Sequence, residues 1–179
     1  MAFGIVCEYN PFHNGHLYQI NKIKEKSDEP IICVMSGNFT QRGELAVLDK
    51  YARAEIAVRC GADLVLELPF PFCASSAEFF AQAGVKLLSL CGVDKLSFGS
   101  ECADAERLTA LARIASSEEF LAAYSDRAKI TGNAKAYFDT LSELSGNEAP
   151  ISSNDILGIE YIKAIIQNGY DIEPCPIKR

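Results

Sequence analysis

The chain has 179 residues, enough for one domain with a sizeable core. Its 49% hydrophobic and 23% charged residues are ordinary for a globular protein, and no apolar run reaches the roughly 18 residues of a membrane-spanning helix. The net charge of −7 disfavours a domain whose main task is to grip a nucleic-acid backbone, but a small anion in a local pocket needs only a few donors and is not excluded.

The N-terminus and the cysteines both predict a cytoplasmic protein. No basic segment followed by a cleavable apolar stretch opens the chain, so we expect no secretion signal. The seven cysteines are an odd number, and none of them forms a Cys-x-x-Cys pair. We therefore expect reduced thiols, as is usual in the cytoplasm.

The first part of the chain predicts a strand, a tight loop and a helix. Residues 3–7 form a short apolar run typical of a buried strand, and Pro11 ends it because proline cannot donate to a strand ladder. Helix formers follow over residues 16–26. Such a junction directs backbone N–H groups and the positive end of a helix dipole at one spot, which predicts an anion site.

The two histidines of the chain, His13 and His16, both lie in this junction. Imidazoles can donate hydrogen bonds to phosphate oxygens, and Gly15 between them allows close approach of a ligand to the backbone. Two alternatives stay open. The histidines could be surface polar residues of an ordinary loop, or they could bind a metal, although cysteine or carboxylate partners at ligand spacing are lacking.

Strands and helices alternate along the rest of the chain. This order predicts an α/β fold, namely a Rossmann-like doubly wound parallel sheet with right-handed crossovers and additional C-terminal helices. Further strands are predicted at residues 31–35, 62–68, 95–98 and 171–177. Helices are predicted over residues 49–60, 104–126 with a break near 116–119, 129–144 and 154–167, with a loop at 145–150.

One more helix follows the third strand. Ser75 and Glu78 have the spacing of a capping box that would open it. Its apolar stripe predicts the buried face, composed of Phe79, Ala83, Leu87 and Leu90. For the helix over 49–60, the predicted apolar members are Ala52, Ile56 and Val58.

Three later segments are candidate binding elements because they follow strands or open a helix. Residues 36–44 follow the second strand, where ligands of open parallel sheets bind; Asn38, Thr40 and Gln41 are candidate hydrogen-bond partners and Arg42 a candidate anion contact. Gly99 ends the fourth strand and permits close approach of a ring or a ribose. The polar run at 152–154 opens a helix, as either an anion site or a simple N-cap.

Two common nucleotide-binding signatures are missing from the sequence. No Gly-x-Gly-x-x-Gly follows the first strand, and no P-loop is found. Dinucleotide binding of the usual Rossmann type and P-loop hydrolysis are therefore disfavoured. We expect the phosphates of a nucleoside triphosphate to lie over the two histidines and the helix that starts beside them.

The window His13-Asn14-Gly15-His16 resembles the His-x-Gly-His signature of the nucleotidylyltransferase superfamily. The longer string at residues 8–16, together with 36–44, 66–70 and 98–101, resembles the bacterial tRNA(Met) cytidine acetate ligases over essentially the whole chain. The resemblance implies that residues 1–179 form the nucleotidylyltransferase-like ATP-binding domain, and that the C-terminal tRNA-binding part of that family is absent from this chain.

The resemblance also implies a reaction. Members of this family activate acetate with ATP, release pyrophosphate, and pass the acetyl group to N4 of the wobble cytidine of elongator tRNA(Met). The implied cofactors are ATP and Mg²⁺, with Mg²⁺ carried by the phosphates and no metal held by the protein alone. Two alternatives stay open: nucleotidyl transfer to another small acceptor, such as a phosphorylated pantetheine or a pyridine nucleotide, and a nucleotide-binding module without chemistry.

Site residues follow from the same resemblance, position by position. His13 and His16 are the implied catalytic residues, and Arg42 is a possible contact to acetate or another anion. The implied ATP contacts are Val6, Cys7, Glu8, Tyr9, Asn10, Pro11, Phe12, His13, Asn14, Gly15, His16, Leu17, Tyr18, Gln19, Gly99, Asn154, Lys178 and Arg179.

Overall fold

The structure is a computed structural model, and it describes residues 1–146 and 152–179. Within this part of the chain, strands and helices alternate up to the fourth strand, and the additional helices predicted near the C-terminus precede the fifth. The strands are β1 (Phe3–Cys7), β2 (Ile31–Ser36), β3 (Leu64–Leu68), β4 (Lys95–Ser100) and β5 (Glu173–Lys178). The helices are α1 (Asn14–Lys24), α2 (Lys50–Arg59), α3 (Ala77–Leu90), α4 (Ala105–Ala115), α5 (Glu118–Thr131), α6 (Asn133–Leu144) and α7 (Ser153–Asn168), with a 3-10 turn at Phe72–Ala74.

The strands of the described residues form one five-stranded, all-parallel sheet in the order β3-β2-β1-β4-β5. The chain runs outward from β1 to β3 and then crosses back to place β4 beside β1. The strand order therefore reverses between β1 and β4, and in open sheets of this kind the ligand crevice lies at such a switch point. The predicted Rossmann-like doubly wound fold is confirmed.

Helices cover both faces of the sheet. On one face, Ile20 and Ile23 of α1 and Ala57 of α2 pack with Ile5 and Cys33 of the sheet. On the other face, α3, α4 and α7 pack on a larger core that includes Val34, Phe80 and Ile162. Because the inner strands are buried on both sides, they are continuous apolar runs rather than alternating ones.

The composition of β5 explains why it forms an edge of the sheet. In β5, Pro174 and Pro176 have no N–H to donate, so the strand pairs with β4 on one side and ends the sheet on the other. Between the two faces, Gly84 lets α3 approach β1: a Cβ at Gly84 would lie 2.7 Å from a Val6 methyl carbon.

Several predicted boundaries and faces are wrong in detail. Helix α1 begins at Asn14, with His13 as its N-cap, two residues before the predicted start. The capping box at Ser75 is wrong, because Ser76 is the N-cap of α3 and accepts from the Phe79 N–H. Helix α5 continues to Thr131, so the helix predicted from 129 begins only at Asn133. Most of the loop predicted at 145–150 lies outside the described residues.

The predicted core stripe of α3 is also wrong. Phe79 and Leu90 are 55% and 75% exposed, whereas Phe80 is 2% exposed. The buried members of α3 are Phe80, Ala81, Gly84, Val85 and Leu88, one position along from the stripe that periodicity predicted. The helix is apolar on more than one side, so periodicity alone could not choose the face that meets the sheet. In α2, the predicted apolar member Val58 is exposed, whereas Arg53 is buried with Ala57.

Among the described residues, no helix has both the length and the hydropathy that crossing a membrane requires. All seven cysteines lie in the described part and are free thiols, as predicted.

We expect the Phe80→Ala variant to lose about 3–5 kcal/mol of unfolding free energy, because it leaves a cavity in the core under α3. Phe79→Ala is the matched control, and we expect a change within about 0.5 kcal/mol because that ring faces solvent. Urea unfolding followed by circular dichroism measures both values. Equal losses in the two variants would contradict the observed face of α3.

Candidate active site at the β1–α1 junction

The site is built around the histidine loop, defined here as residues 8–16. His13 is the N-cap of α1, and its Nδ1 accepts a hydrogen bond from the Gly15 N–H at 3.0 Å. In return, Nδ1 of His16 accepts from the His13 N–H at 3.3 Å. The two imidazoles thus form a reciprocal capping box, the arrangement that usually pairs a serine with a glutamate.

The two rings stack on each other, with centroids 3.7 Å apart and planes 21° from parallel. Because each Nδ1 accepts a backbone N–H, the proton of each neutral ring lies on Nε2. Neither Nε2–H group is used in these bonds. In its neutral form, each ring therefore keeps an Nε2–H group that can donate to a ligand.

The structure gives Gly15 a role beside the predicted one, which stays a prediction. A Cβ at this position would lie 2.9 Å from Cε1 of His13, so the glycine makes room for the imidazole. The expectation of several free backbone N–H groups is also modified. The Gly15 N–H is bound by His13 Nδ1, and the His16 N–H donates to the His13 carbonyl at 2.9 Å. An anion would thus meet the imidazole donors and the helix dipole more than free amides.

His16 is half-buried against aromatic side chains. Its ring centroid lies 4.8 Å from that of Tyr9 and 5.5 Å from that of Phe12. Burial, with smaller contributions from the neighbouring His13 and from the positive charge of Arg179, lowers the pKa of His16 to about 4. His16 is therefore neutral at pH 7 and can act there as a hydrogen-bond donor through Nε2.

The end of β5 lies close to His16, on the β4 side of the switch point. Gly99 of β4 allows the Arg179 side chain to lie against it, because a Cβ at Gly99 would lie 2.8 Å from Cδ of Arg179. The Arg179 N–H donates to the Ser100 carbonyl at 3.2 Å. Three residues from distant parts of the chain, His16, Gly99 and Arg179, are thereby brought together.

Asn154 and Lys178 meet at a second point, around Glu101. The Asn154 side-chain amide donates to Oε1 of Glu101 at 2.9 Å, and the Lys178 ammonium donates to the Glu101 carbonyl. A hydrogen bond from Ser152 is the main cause that lowers the pKa of the Glu101 carboxyl. Sequence reasoning missed Glu101, although it lies in one of the motifs that carried the resemblance.

The N-terminus of α7 is anchored by Asp155, which is 2% exposed. Burial by itself would raise the pKa of Asp155, but hydrogen bonds from the hydroxyls of Ser100 and Ser152 and from the Cys102 N–H outweigh it and lower that pKa. The polar run at 152–154 thus serves as an N-cap, since Ser152 accepts from the Asp155 N–H at 3.0 Å. It also places Asn154 beside Glu101.

The second loop at the site is the β2–α2 loop, residues 37–49. Glu8 and Asn10 of the histidine loop hold it: Oε1 of Glu8 accepts from the Gln41 N–H, and Oδ1 of Asn10 accepts from the Val47 N–H at 2.7 Å. Arg42 is exposed at its tip, in a turn closed by the Gly43 N–H and the Thr40 carbonyl. An anion contact by Arg42 stays a prediction.

The other predicted ATP contacts are in different surroundings. Val6 is buried under α3, so only its backbone could face a ligand. Tyr18 is 45% exposed, with the Lys22 ammonium 5.5 Å from its ring centroid. The Gln19 side-chain amide donates to the Ser97 hydroxyl at 3.2 Å and joins α1 to β4. The remaining members of 6–19 form the histidine loop, its entry at Cys7 and the first turn of α1.

Two buried hydroxyls at the carboxyl end of β2 also belong to this region. Oγ of Ser36 and Oγ1 of Thr40 have no hydrogen-bond partner within the described residues, although the side chains are 1% and 6% exposed. Leaving a buried polar group unpaired costs about 1–3 kcal/mol. Thr40 was a candidate from the sequence, and Ser36 was not.

No group of three or more His, Cys, Asp or Glu side chains able to hold a metal is found in the part of the chain that the structure describes. Two concavities lie elsewhere: one of about 550 Å³ beside Arg127 and Glu143, and one of about 360 Å³ between Phe72, Lys86 and Tyr170. Neither includes a residue of the histidine loop. We assign the site to the open crevice at the switch point because the predicted donors converge there.

The stacked imidazoles at the β1–α1 junction of a 3-2-1-4-5 parallel sheet define a nucleotidyltransferase of the His-x-Gly-His type. The sequence model of the HIGH Nucleotidyl Transferase family matches residues 1–179, and the chain belongs to this family.

Within the family, the chain is similar to proteins that carry one particular name. It is 44% identical to the tRNA(Met) cytidine acetate ligase of Syntrophotalea carbinolica, over 99% of this chain and 44% of that protein. It is 43% identical to the enzyme of the same name from Mycoplasma mobile, over 100% of this chain and 61% of that protein. The chain thus spans about half the length of such relatives.

Solved structures are similar to this chain in both fold and sequence. The crystal structure of Thermotoga maritima TmcAL bound with alpha-thio ATP matches with a TM-score of 0.88 and 42% identity, over 100% of this chain and 47% of that one. The apo form of the same protein matches with a TM-score of 0.86 and 41% identity. The resemblance noted in the sequence is confirmed.

We expect one imidazole of the folded chain to titrate with a midpoint of about 4, because burial disfavours the charged form of His16. With two histidines in the chain, the proton NMR spectrum contains two imidazole signals to follow. The control is the chain in 8 M urea, where both should titrate near the ordinary value of about 6.5. A midpoint near 6.5 for His16 in the folded chain would contradict its burial.

The same burial predicts a pH dependence of stability. The unfolded chain binds the His16 proton below a pH of about 6.5, whereas the folded chain binds it only below about 4. The contribution of neutral His16 is therefore complete above pH 6.5 and is lost as the pH falls toward 4. The slope of unfolding free energy against pH should be smaller between pH 6.5 and 4 in His16→Gln than in the wild type, and equal slopes would contradict the assignment.

Proposed function

We propose that this chain binds ATP and activates acetate as acetyl-adenylate with release of pyrophosphate, as the first step of N4-acetylation of the wobble cytidine of elongator tRNA(Met). The observation that carries the proposal is the stacked pair His13–His16 at the switch point, with Arg179 lying over Gly99 beside it. The names of the relatives support the choice of acceptor. The ATP analogue named with the Thermotoga structure supports the choice of nucleotide.

The triphosphate would lie over the histidine loop, at the positive end of the α1 dipole. The Nε2–H groups of His13 and His16 would donate to phosphate oxygens, and Arg179 would add a positive charge from the opposite side. The nucleoside would lie toward β4, with Asn154 and Lys178 at its edge. Phe98 is buried against Tyr161, so its ring is not available to stack on the base.

In the reaction, one acetate oxygen attacks the α-phosphorus and forms the new P–O bond as the bond to the bridging oxygen of pyrophosphate breaks. Such a transfer needs alignment of the acceptor and donors for the developing charge. Neutral His16 would donate a hydrogen bond from Nε2–H to a phosphate oxygen and keep its proton throughout the step. Removing one donor of this kind costs about 3–4 kcal/mol of transition-state stabilisation.

Acetate would lie on the β2 side of the histidine loop, because the nucleoside occupies the β4 side. The hydroxyls of Ser36 and Thr40, which have no hydrogen-bond partner among the described residues, lie at that end, and Arg42 is at the tip of the loop above. Mg²⁺ would arrive with the triphosphate and screen its charge. Such an ion would be held mainly by phosphate oxygens and water.

Binding of the tRNA and transfer of the acetyl group would need surfaces beyond the ATP-binding unit formed by residues 1–179. The net charge of −7 supports this division, since a domain that grips tRNA alone would be expected to be basic. We place the reaction in the cytoplasm, in keeping with the seven free thiols.

We expect acetate-dependent ATP–pyrophosphate exchange by this chain, and a loss of about two orders of magnitude or more in His16→Ala, because a transition-state donor is removed. Lys129→Ala is the control: Lys129 lies on α5, pairs with Asp126 at the surface, and should leave exchange unchanged. Circular dichroism checks that each variant is folded.

The other two candidate functions give different results in this assay. Pyrophosphate exchange that ignores acetate but responds to another small acceptor would identify nucleotidyl transfer to that acceptor. Tight ATP binding in calorimetry without any exchange would identify a binding module and overturn the proposed reaction.

A further inference from the structure

Arg53 is the largest of the fully buried side chains, at 1% exposed. It lies on α2, one helical turn before Ala57, and points toward the carboxyl ends of β1 and β2. Within the described residues it forms no ion pair with a carboxylate. Its partners are backbone carbonyls instead: Nε donates to Leu48 at 3.0 Å, and the two terminal nitrogens donate to Glu8 and Gly37.

These three carbonyls belong to two loops that are far apart in sequence. Gly37 and Leu48 lie at the two ends of the β2–α2 loop, and Glu8 opens the histidine loop. One planar guanidinium therefore holds both ends of one loop and the start of the other. A lysine could not do this, because a single ammonium lacks the fixed fork of donors that reaches three separate acceptors.

A continuous series of contacts connects Arg53 with the His13–His16 pair. The residue after Glu8 is Tyr9, which adopts a left-handed backbone with φ of 49° and is 1% exposed. The Tyr9 ring lies 4.9 Å from that of Phe12 and 4.8 Å from that of His16, between centroids. The position of the Glu8 carbonyl therefore determines where Tyr9 lies, and the Tyr9 ring packs against the His16 ring.

The same guanidinium supports the side where the acceptor would bind. Gly37 directly follows Ser36, whose hydroxyl is unpaired among the described residues. The Glu8 carboxylate and the Asn10 side chain hold the middle of the β2–α2 loop through the N–H groups of Gln41 and Val47. The two loops are therefore joined twice, by these direct hydrogen bonds and by the guanidinium of Arg53.

Burying this charge is costly. Desolvation lowers the pKa of Arg53, although the nearby charge of Glu8 partly opposes it. Removing the guanidinium would leave the Leu48, Glu8 and Gly37 carbonyls without these donors, so its loss also lowers stability. A positioning role is therefore separated from this loss of stability by rates that refer to folded protein.

We propose that Arg53 is a positioning residue, which fixes the His13–His16 pair relative to the β2–α2 loop so that the two substrates of the proposed reaction meet in line. The proposal depends on the proposed function for its catalytic meaning. Arg53 itself touches neither substrate. A misplacement of about 1 Å between reacting groups can cost on the order of 100-fold in rate.

The test uses Arg53→Met and Arg53→Lys, with Arg59→Met as the control. Arg59 lies on the same helix, is paired with Glu55 and has a side chain that is 76% exposed. We expect kcat of acetate-dependent exchange to fall about 100-fold in both Arg53 variants, with the KM for ATP changed far less, because the nucleotide donors remain but their alignment with the acceptor is lost. Circular dichroism at the assay temperature establishes the folded fraction, so that rates refer to folded protein.

A second readout needs no turnover. In both Arg53 variants, the NMR titration midpoint of His16 should move from about 4 toward the ordinary value of about 6.5, because the loosened loop lets water reach the ring. In Arg59→Met it should stay at about 4. This readout decides the role of Arg53 even if the wild type shows no exchange, which would overturn the proposed function alone.

Two results would overturn the proposal. The first is a His16 midpoint and a kcat per folded molecule in Arg53→Lys that match those of Arg59→Met. The second applies to the wild type and needs no variant: the Hε proton of Arg53 should be protected from exchange with water because it donates to Leu48, and free exchange of this proton would exclude a fixed guanidinium.

Discussion

The stacking of two imidazoles at the start of α1 is the interaction on which the rest of the site depends. Each ring accepts a backbone N–H through Nδ1, so the loop and the rings hold each other in place. This arrangement determines the tautomer of both neutral rings and leaves both Nε2–H groups for a ligand. It also explains Gly15, since any larger residue would collide with the His13 ring.

The electrostatics of the site are local and differ from those of the whole chain. The protein carries a net charge of −7, yet the positive charge of Arg179 lies near His16 in the first turn of α1. A neutral His16 suits such a place, because it adds no permanent charge beside Arg179. The burial that keeps His16 neutral comes from Tyr9 and Phe12, which are members of the same loop. One short segment therefore supplies the donors and their environment.

The relatives give this site a context. The chain belongs to the HIGH nucleotidyl transferases, and it matches somewhat less than half of the Thermotoga protein over its own full length. In our proposal the half-reaction at ATP is confined to one sheet edge, while the tRNA is bound elsewhere. A buried arginine that joins the two loops of that edge gives a physical reason why the histidine loop and the β2–α2 loop form one unit.

Local sequence patterns were sufficient for the order of strands and helices and for the histidine pair. The inner strands are unbroken apolar runs, and His13-Asn14-Gly15-His16 lies within one window, so neither needed knowledge of distant contacts. The tertiary structure decided which face of α3 is buried. Both Phe79 and Phe80 are apolar, and only packing against the sheet distinguishes them.

The tertiary structure also decided the roles of charged side chains. Arg53 looks like any surface cation of a helix in the sequence, and its burial follows from two loops that come together only in the fold. Glu101 became a partner of Asn154 and Lys178 for the same reason. The sequence by itself determined the fold class and the histidine pair, because these depend on residues close along the chain. Only the fold could decide which distant groups support that pair, because hydrogen bonds and burial between remote segments leave no periodic pattern in the sequence.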